Sequence, residues 1–375
     1  MNRGAAMMDD QQDQPAQVAE LPFLFGSGHG ETTPFATVQQ LIDTEAHEYE
    51  FNITPGGFLR GVLIQVTNDS SGDIGTANLA PDAPYAVISS LTLEDISGEG
   101  VLKPMSCFAH AMKQKWFSPW DGDPAKRADF SASINPAFTL RAMNEVRDTL
   151  AVLPNTDARA QYRIKLTIAP LAALVDTPAN VTTPPTVTIK IAPLKWYQPD
   201  AVDLLGTLIN PEPDGVSASR FFQHQLYNEF SAADNTPRLE LVGQEIRALG
   251  FIIRDSTGAR IDLTDTGAGS IIFTMDDRTF WKRLASQWVE EMNSFYDKLA
   301  DGTWTRETGV YIIPKFRKPG DLVGEFWLQT IEQNDLRLEI QGGDLGNNTP
   351  GSIEVLYDNL AVEAGNVLPP ELEGI

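Results

Sequence analysis

The sequence predicts an all-β protein built as two tandem β-sandwiches, residues 36–200 and 215–365, each with an inserted helix. Three observations predict it. Most of the readable hydrophobic signal alternates with period two, the pattern of strands with one face buried. Turn-forming clusters such as Asn68-Asp-Ser-Ser-Gly-Asp73 and Asp255-Ser-Thr-Gly258 separate these strands, as in antiparallel sheets. The same order of strands and helix occurs twice, without the strand–helix alternation that builds a parallel sheet. A chain of 375 residues accommodates two domains of roughly 150 residues, and the eight-stranded jelly roll is the common sandwich of that size.

Residues 1–35 are polar and glycine-rich, with Gln11-Gln-Asp-Gln-Pro-Ala-Gln17 and Gly26-Ser-Gly-His-Gly30, and read as a flexible arm. Its one apolar patch holds Leu21, Phe23, Leu24 and Phe25. In the first half the clearest strands are Tyr49–Ile53, Phe58–Val66, Tyr85–Leu93, Tyr162–Ile168 and Val187–Ile191. In the second they are Ile246–Ile253, Ser270–Met275, Gly309–Ile313, Leu336–Ile340 and Ile353–Tyr357.

Helical spacing is plainest from Asp277 to Leu299, where Phe280, Leu284, Trp288, Met292, Phe295 and Leu299 share one face. A weaker helix is expected over Met105–Phe117, with Met105, Phe108, Ala109, Met112 and Trp116 on its apolar side. Each half begins with an arginine inside an apolar run, Phe58-Leu-Arg-Gly-Val-Leu-Ile64 and Glu245-Ile-Arg-Ala-Leu-Gly-Phe-Ile-Ile253. The boundary falls near Gln198–Gly215, where Pro199, Pro211 and Pro213 cluster. Residues 366–375 form an acidic tail, and the chain has no Lys or Arg after Arg337.

Composition narrows the function. A hydrophobic fraction of 42% and a charged fraction of 21% belong to a folded globular chain. Cys107 is the single cysteine, so no intrachain disulfide exists. A net charge of −23 repels phosphate backbones and anionic membrane surfaces, which argues against direct nucleic-acid binding. The longest apolar run, Ile168–Val175, falls short of a membrane span, and Asp9 and Asp10 interrupt the N-terminus where a signal peptide needs apolar residues.

No catalytic, cofactor or metal constellation emerges, and none is expected. His29, His47, His110 and His224 lie far apart without metal-ligand spacing, His47 reading as a strand-edge residue and His224 as a loop or helix-start residue. Cys107 and His110 share one helix face, but a small buried thiol explains Cys107 better than a nucleophile does. Gly26–Gly30 lacks the strand, helix and Lys-Ser/Thr of a phosphate loop. Asp121-Gly-Asp123 with Asp129 lacks the closing glutamate of a calcium loop and reads as a surface turn. Lys315, Arg317 and Lys318, near Arg306, form the one local excess of positive charge; as a solvated strand end it needs no role, and as a contact patch it suits an acidic neighbouring copy.

Two similar all-β halves, each with a helix after its early strands, resemble the double jelly-roll major capsid proteins of tailless icosahedral viruses, the tectivirus and adenovirus lineage. The resemblance is carried by Phe58–Asp95 and Glu245–Leu299, including Pro84-Tyr-Ala-Val-Ile-Ser-Ser-Leu-Thr-Leu-Glu-Asp95 and Ile271-Ile-Phe-Thr-Met-Asp-Asp277, and spans residues 36–365. It implies a structural, non-enzymatic virion protein made in the host cytoplasm. It further implies a homotrimer of pseudo-hexagonal outline that contacts neighbouring capsomers, other capsid proteins and an internal membrane. A different class, a two-domain carbohydrate-binding or hydrolytic β-sandwich, would use Trp116, Trp120, Trp196 and Trp304 as exposed sugar platforms.

Overall fold

The computed structural model describes residues 29–31, 33–70, 75–98, 100–117, 138–145, 151–157, 159–197, 220–230, 245–263, 270–296, 306–313, 335–340 and 351–360, with a few shorter pieces including Phe23. The strands of the first half, in chain order, are β1 (His29–Glu31), β2 (Ala36–Leu41), β3 (His47–Asn52), β4 (Phe58–Ser70), β5 (Ile88–Asp95), β6 (Gly100–Met105), β7 (Phe138–Met143), β8 (Tyr162–Ile168) and β9 (Thr186–Trp196). Those of the second are β10 (Arg220–Phe230), β11 (Glu245–Arg254), β12 (Ile271–Met275), β13 (Arg278–Arg283), β14 (Val310–Ile313), β15 (Leu336–Ile340) and β16 (Gly351–Leu360). The helices are α1 (Cys107–Phe117) and α2 (Ala285–Tyr296).

Alternation decides which face of each strand is buried. In β8, Ile164, Leu166 and Ile168 point inward between half-exposed Arg163, Lys165 and Thr167, and β15 buries Leu336, Leu338 and Ile340 in the same way. Two sheets close the first sandwich. One has the order β1/β2–β9–β4–β7, with β1 and β2 lying in turn along β9. The other runs β3–β8–β5–β6. Strands that hop between facing antiparallel sheets in this order make an eight-stranded jelly roll.

The second half repeats the wiring. Its first sheet is β10–β16–β11–β14, and its second is β15–β12–β13. Arg238 bridges Arg337, and the Leu239 amide donates to the Leu336 carbonyl at 2.7 Å, so this short piece takes the place that β3 holds in the first roll. Both helices occupy the same point of the wiring: α1 follows β6 and precedes β7, and α2 follows β13 and precedes β14.

The arginines noted in the two apolar runs occupy the same backbone feature. Leu59 pairs with Lys195 and Gly61 with Leu194, leaving Arg60 as the extra residue of a β-bulge. Ile246 pairs with Asn359 and Ala248 with Asp358, leaving Arg247 in the same situation. A bulge re-aims the side chain of its extra residue, and here it turns each arginine toward a buried carboxylate.

Several sequence expectations change. The helix expected from Asp277 begins only at Ala285, because Asp276 and Asp277 adopt φ of 47° and 61° in a two-residue hairpin turn and Arg278–Arg283 return as a strand against β12. Phe280 therefore lies on β13, not on the helix, whereas Trp288 and Met292 are buried as expected. Phe295 and Leu299 have side chains outside the described residues. Tyr85–Val87 is a short 3-10 turn preceding β5. His224 lies within β10 rather than in a loop or at a helix start, and the glycine-rich linker at Gly26–Gly30 ends in sheet, since His29–Glu31 pair with β9.

Candidate functional site: the inter-roll joint and the open edges

Beside β6, at the edge of the first roll's second sheet, lies β10 of the second roll, parallel and in register at Leu102 and Phe222. The two rolls therefore share one nine-stranded sheet. Most of their buried apolar side chains likewise join one main cluster running from Ala36 to Tyr357.

Helix α1 fills the joint. Ser106 caps it, its Oγ accepting from the Ala109 amide at 3.1 Å. All eleven of its residues are buried, including Lys113, Gln114 and Lys115. An amphipathic helix covers one sheet, whereas this one is enclosed by two rolls, so its polar side chains need partners on both sides. Gln114 accepts from the Arg141 amide of the first roll at 3.0 Å. Lys113 donates to the Tyr357 carbonyl at 3.3 Å and Lys115 to Glu307 at 2.9 Å, both in the second roll.

Arg247 answers from the other side, donating to the Phe117 carbonyl at 3.0 Å and pairing with Asp358, which is fully buried. Burial holds Lys113 well below the usual lysine range; Asp358 opposes that shift and Arg247 adds to it. In the first roll the matching Arg60 pairs with Glu145, whose other oxygen accepts from the Trp196 indole at 2.8 Å.

A second cross-joint cluster centres on Asp82, in the loop between β4 and β5. Arg254 donates to it at 2.7 Å and Arg260 at 2.9 Å; Arg260 also donates to the Pro81 carbonyl at 2.7 Å and lies 4.6 Å from the Phe108 ring centre. The cleft above, about 600 Å³, is lined by Asp82, Phe108, Asp176 and Arg254 among others. Among the described residues no group of three or more His, Cys, Asp or Glu side chains converges to hold a metal. Cys107 is fully buried and burial raises its thiol pKa, which suppresses the thiolate a nucleophile requires.

The predicted contact residues fare unevenly. Phe23 is buried in a small satellite cluster with Phe58, Val152 and Trp196, its ring 5.3 Å from Phe58 and 6.3 Å from Trp196. It is an anchor at the base of the first roll. Leu21, Leu24 and Phe25 lie outside the described residues, as do Lys315, Arg317, Lys318, Asp121, Asp123, Trp120, Trp304 and the 366–375 tail. Arg306 is committed inside the second roll, bonded to Asp262 at 2.8 Å and to the Val310 carbonyl at 3.1 Å. Trp116 and Trp196 are buried, so neither offers an exposed sugar platform.

Sequence reading missed the joint itself, although the repeated arginine in an apolar run was its visible trace. Among the described residues β1 and β2 pair only with β9, β3 only with β8, and β13 only with β12, so each presents an open edge.

Topology and joint together define a double jelly roll. No family model matches the sequence, and no curated protein matches it. Solved structures do share the fold. The atomic structure of Sulfolobus Turreted Icosahedral Virus aligns over 92% of this chain and 95% of that one, at 14% identity and a TM-score of 0.60. The major capsid protein of bacteriophage PM2 aligns over 91% of this chain and 100% of its own, at 11% identity and a TM-score of 0.51. The PBCV-1 virus capsid aligns over 89% and 93%, at 10% identity and a TM-score of 0.53.

Proposed function

We propose that the chain is the structural major capsid protein of an icosahedral virion, three copies closing into a pseudo-hexagonal capsomer, without a catalytic role. The observation that carries this reading is the doubling of one roll, down to its arginine bulge and inserted helix, across a rigid buried joint. Two equivalent wedges per chain let three chains present six-fold contacts to their neighbours. Solved structures of the same fold are named as virus capsids and major capsid proteins, which supports copies of the chain itself as its partners; other capsid proteins and an internal membrane are further proposed contacts. It is made in the host cytoplasm and works in the virion.

Residues before Phe23 serve as an assembly arm anchored at the Phe23 cluster, and Lys315, Arg317 and Lys318 as a contact patch. Native mass measurement at micromolar concentration is expected to give three times the 41.1 kDa chain mass, with a hexagonal outline in electron micrographs. A monomer under those conditions refutes the reading.

A further inference from the structure

The shared sheet has two ends, β14 and β3, and they are finished differently. The Ile253 amide donates to the Gly309 carbonyl at 2.9 Å, so in β14 the backbone groups of Tyr311 and Ile313 face β11, and those of Val310 and Ile312 face away. All four outward groups are met. The Val310 carbonyl accepts from Arg306 at 3.1 Å, and the Val310 amide donates to the Glu307 carbonyl at 3.2 Å. The Ile312 carbonyl accepts from the Trp288 indole at 2.6 Å, and the Ile312 amide donates to the Met292 sulfur at 3.2 Å. Helix α2 and the turn before β14 thus close that end of the sheet.

Strand β3 is the other end. The Ile53 amide donates to the Tyr162 carbonyl at 2.9 Å, which turns the backbone of His47, Tyr49 and Phe51 toward β8 and that of Glu48, Glu50 and Asn52 outward. Among the described residues nothing meets these three amides and three carbonyls. The usual protections of an edge are also missing: β3 pairs with β8 over six consecutive residues without a bulge, and it holds no Pro, Lys or Arg. Glu48, Glu50 and Asn52 are exposed on the outer face, whereas Tyr49 and Phe51, stacked with ring centres 6.2 Å apart, are half-buried on the inner one. His47 bonds back to Asp43 at 3.1 Å, and Glu50 shares Arg163 with Glu94, so the neighbouring cation is divided between two acids. A second β3 would set carboxylates against carboxylates, and the edge therefore does not suit its own copy.

We propose that β3 is a docking edge for an extended segment of another virion protein, one that alternates Lys or Arg with apolar residues. The segment adds as a further strand beyond β3. Its backbone takes up the outward amides and carbonyls, its cations lie beside Glu48 and Glu50, and its apolar side chains extend the stack of Tyr49 and Phe51. Backbone pairing supplies the affinity, and charge selects the occupant. The source of the segment rests on the capsid reading above; the edge and the chemistry it selects do not.

The test uses the full-length protein and a fluorescein-labelled synthetic peptide that alternates lysine with valine. Saturable binding is expected, roughly tenfold or more tighter than for a peptide of the same composition with its lysines and valines in two blocks, and weaker as salt rises. Hydrogen exchange should show the Glu48, Glu50 and Asn52 amides exchanging freely in the protein alone and slowing once the peptide is bound, while those of Tyr49 and Phe51 stay protected throughout. Glu48→Lys with Glu50→Lys should keep the circular dichroism spectrum and weaken binding roughly tenfold or more; should that variant not fold, the exchange measurement on the wild type decides. No saturable binding, or equal binding of the alternating and blocked peptides, overturns the assignment. Outward amides already protected without peptide show the edge covered by a copy and overturn it as well. Native mass measurement separates the two readings: a trimer that does not bind loses the edge and keeps the capsomer, and a monomer that binds loses the capsomer and keeps the edge.

Discussion

Removing the Arg247 guanidinium tests whether the joint is a rigid weld. Asp358 is fully buried and Arg247 is 9% exposed, so the pair is shielded from water and the carboxylate depends on its partner. Arg247→Ala strips that partner away and also leaves the Phe117 carbonyl without its donor at 3.0 Å. Breaking one side of a buried pair costs about 3–5 kcal/mol, most of it for the charge left behind. The double variant Arg247→Met with Asp358→Leu removes the desolvation penalty together with the attraction and should lose much less than the single change. Urea unfolding followed by tryptophan fluorescence, with a cycle of the two single variants and the double, measures both. Arg337→Ala, about half exposed on β15 beside Asp335, serves as the control and should cost less than about 1 kcal/mol. An Arg247→Ala loss within about 0.5 kcal/mol would refute the weld, and equal losses for single and double variants would refute its electrostatic basis.

Three further outcomes follow from the packing and the charges. Trp288 is 1% exposed, meets Trp281 edge-on with ring centres 4.2 Å apart and donates to the Ile312 carbonyl at 2.6 Å, so Trp288→Ala should lose about 3–5 kcal/mol in denaturant unfolding. Gly250 admits α1 closely, since a Cβ there would meet Ile312 at 2.5 Å and Phe117 at 3.2 Å; Gly250→Val should cost about 1–3 kcal/mol by overpacking, visible as a lower melting temperature. Burial pushes the Glu94 carboxyl up, but hydrogen bonds from Lys165 and Arg163 outweigh it and hold the folded-state pKa below the ordinary 4.5. The unfolded chain thus takes up the proton first as pH falls, so this contribution is complete above pH 4.5 and is lost below it; Glu94→Gln should flatten the acid limb of a melting-temperature profile.

The legible parts of the sequence were those in which local pattern and tertiary setting agree. Tyr162–Ile168 and Leu336–Ile340 were read residue for residue because each sits mid-sheet with one face buried. Strand β6 was missed because Gly100 and Pro104 break its pattern, although a neighbouring strand from the other roll makes it sheet interior. Strand β13 was misread because Phe280, Leu284 and Trp288 keep helical spacing across the junction from β13 to α2, and no periodicity reports the positive φ values of the Asp276–Asp277 turn that precedes the strand. The burial of Lys113 and Lys115 depends on a roll formed later in the chain, and a single-helix pattern carries no trace of it. The paired arginines were visible, but their carboxylates lie 85 and 111 residues away and belong to the fold rather than to any motif.

The shared edge between β6 and β10 also sets a timetable. A ribosome has made β6 before it makes residues 106–219, β8 completes the first roll's second sheet within that interval, and β10 arrives only after it. At roughly 5–20 residues per second, the outer edge of β6 stays open for on the order of ten seconds, a template for any other nascent strand. Lys103 and Pro104 sit in that strand, a charge and a residue with no N–H to offer, which are the usual means of blunting an edge. Their value therefore lies in the interval before the second roll exists: Pro104→Val should leave the finished protein as stable as before and raise the share of newly made chain that becomes insoluble.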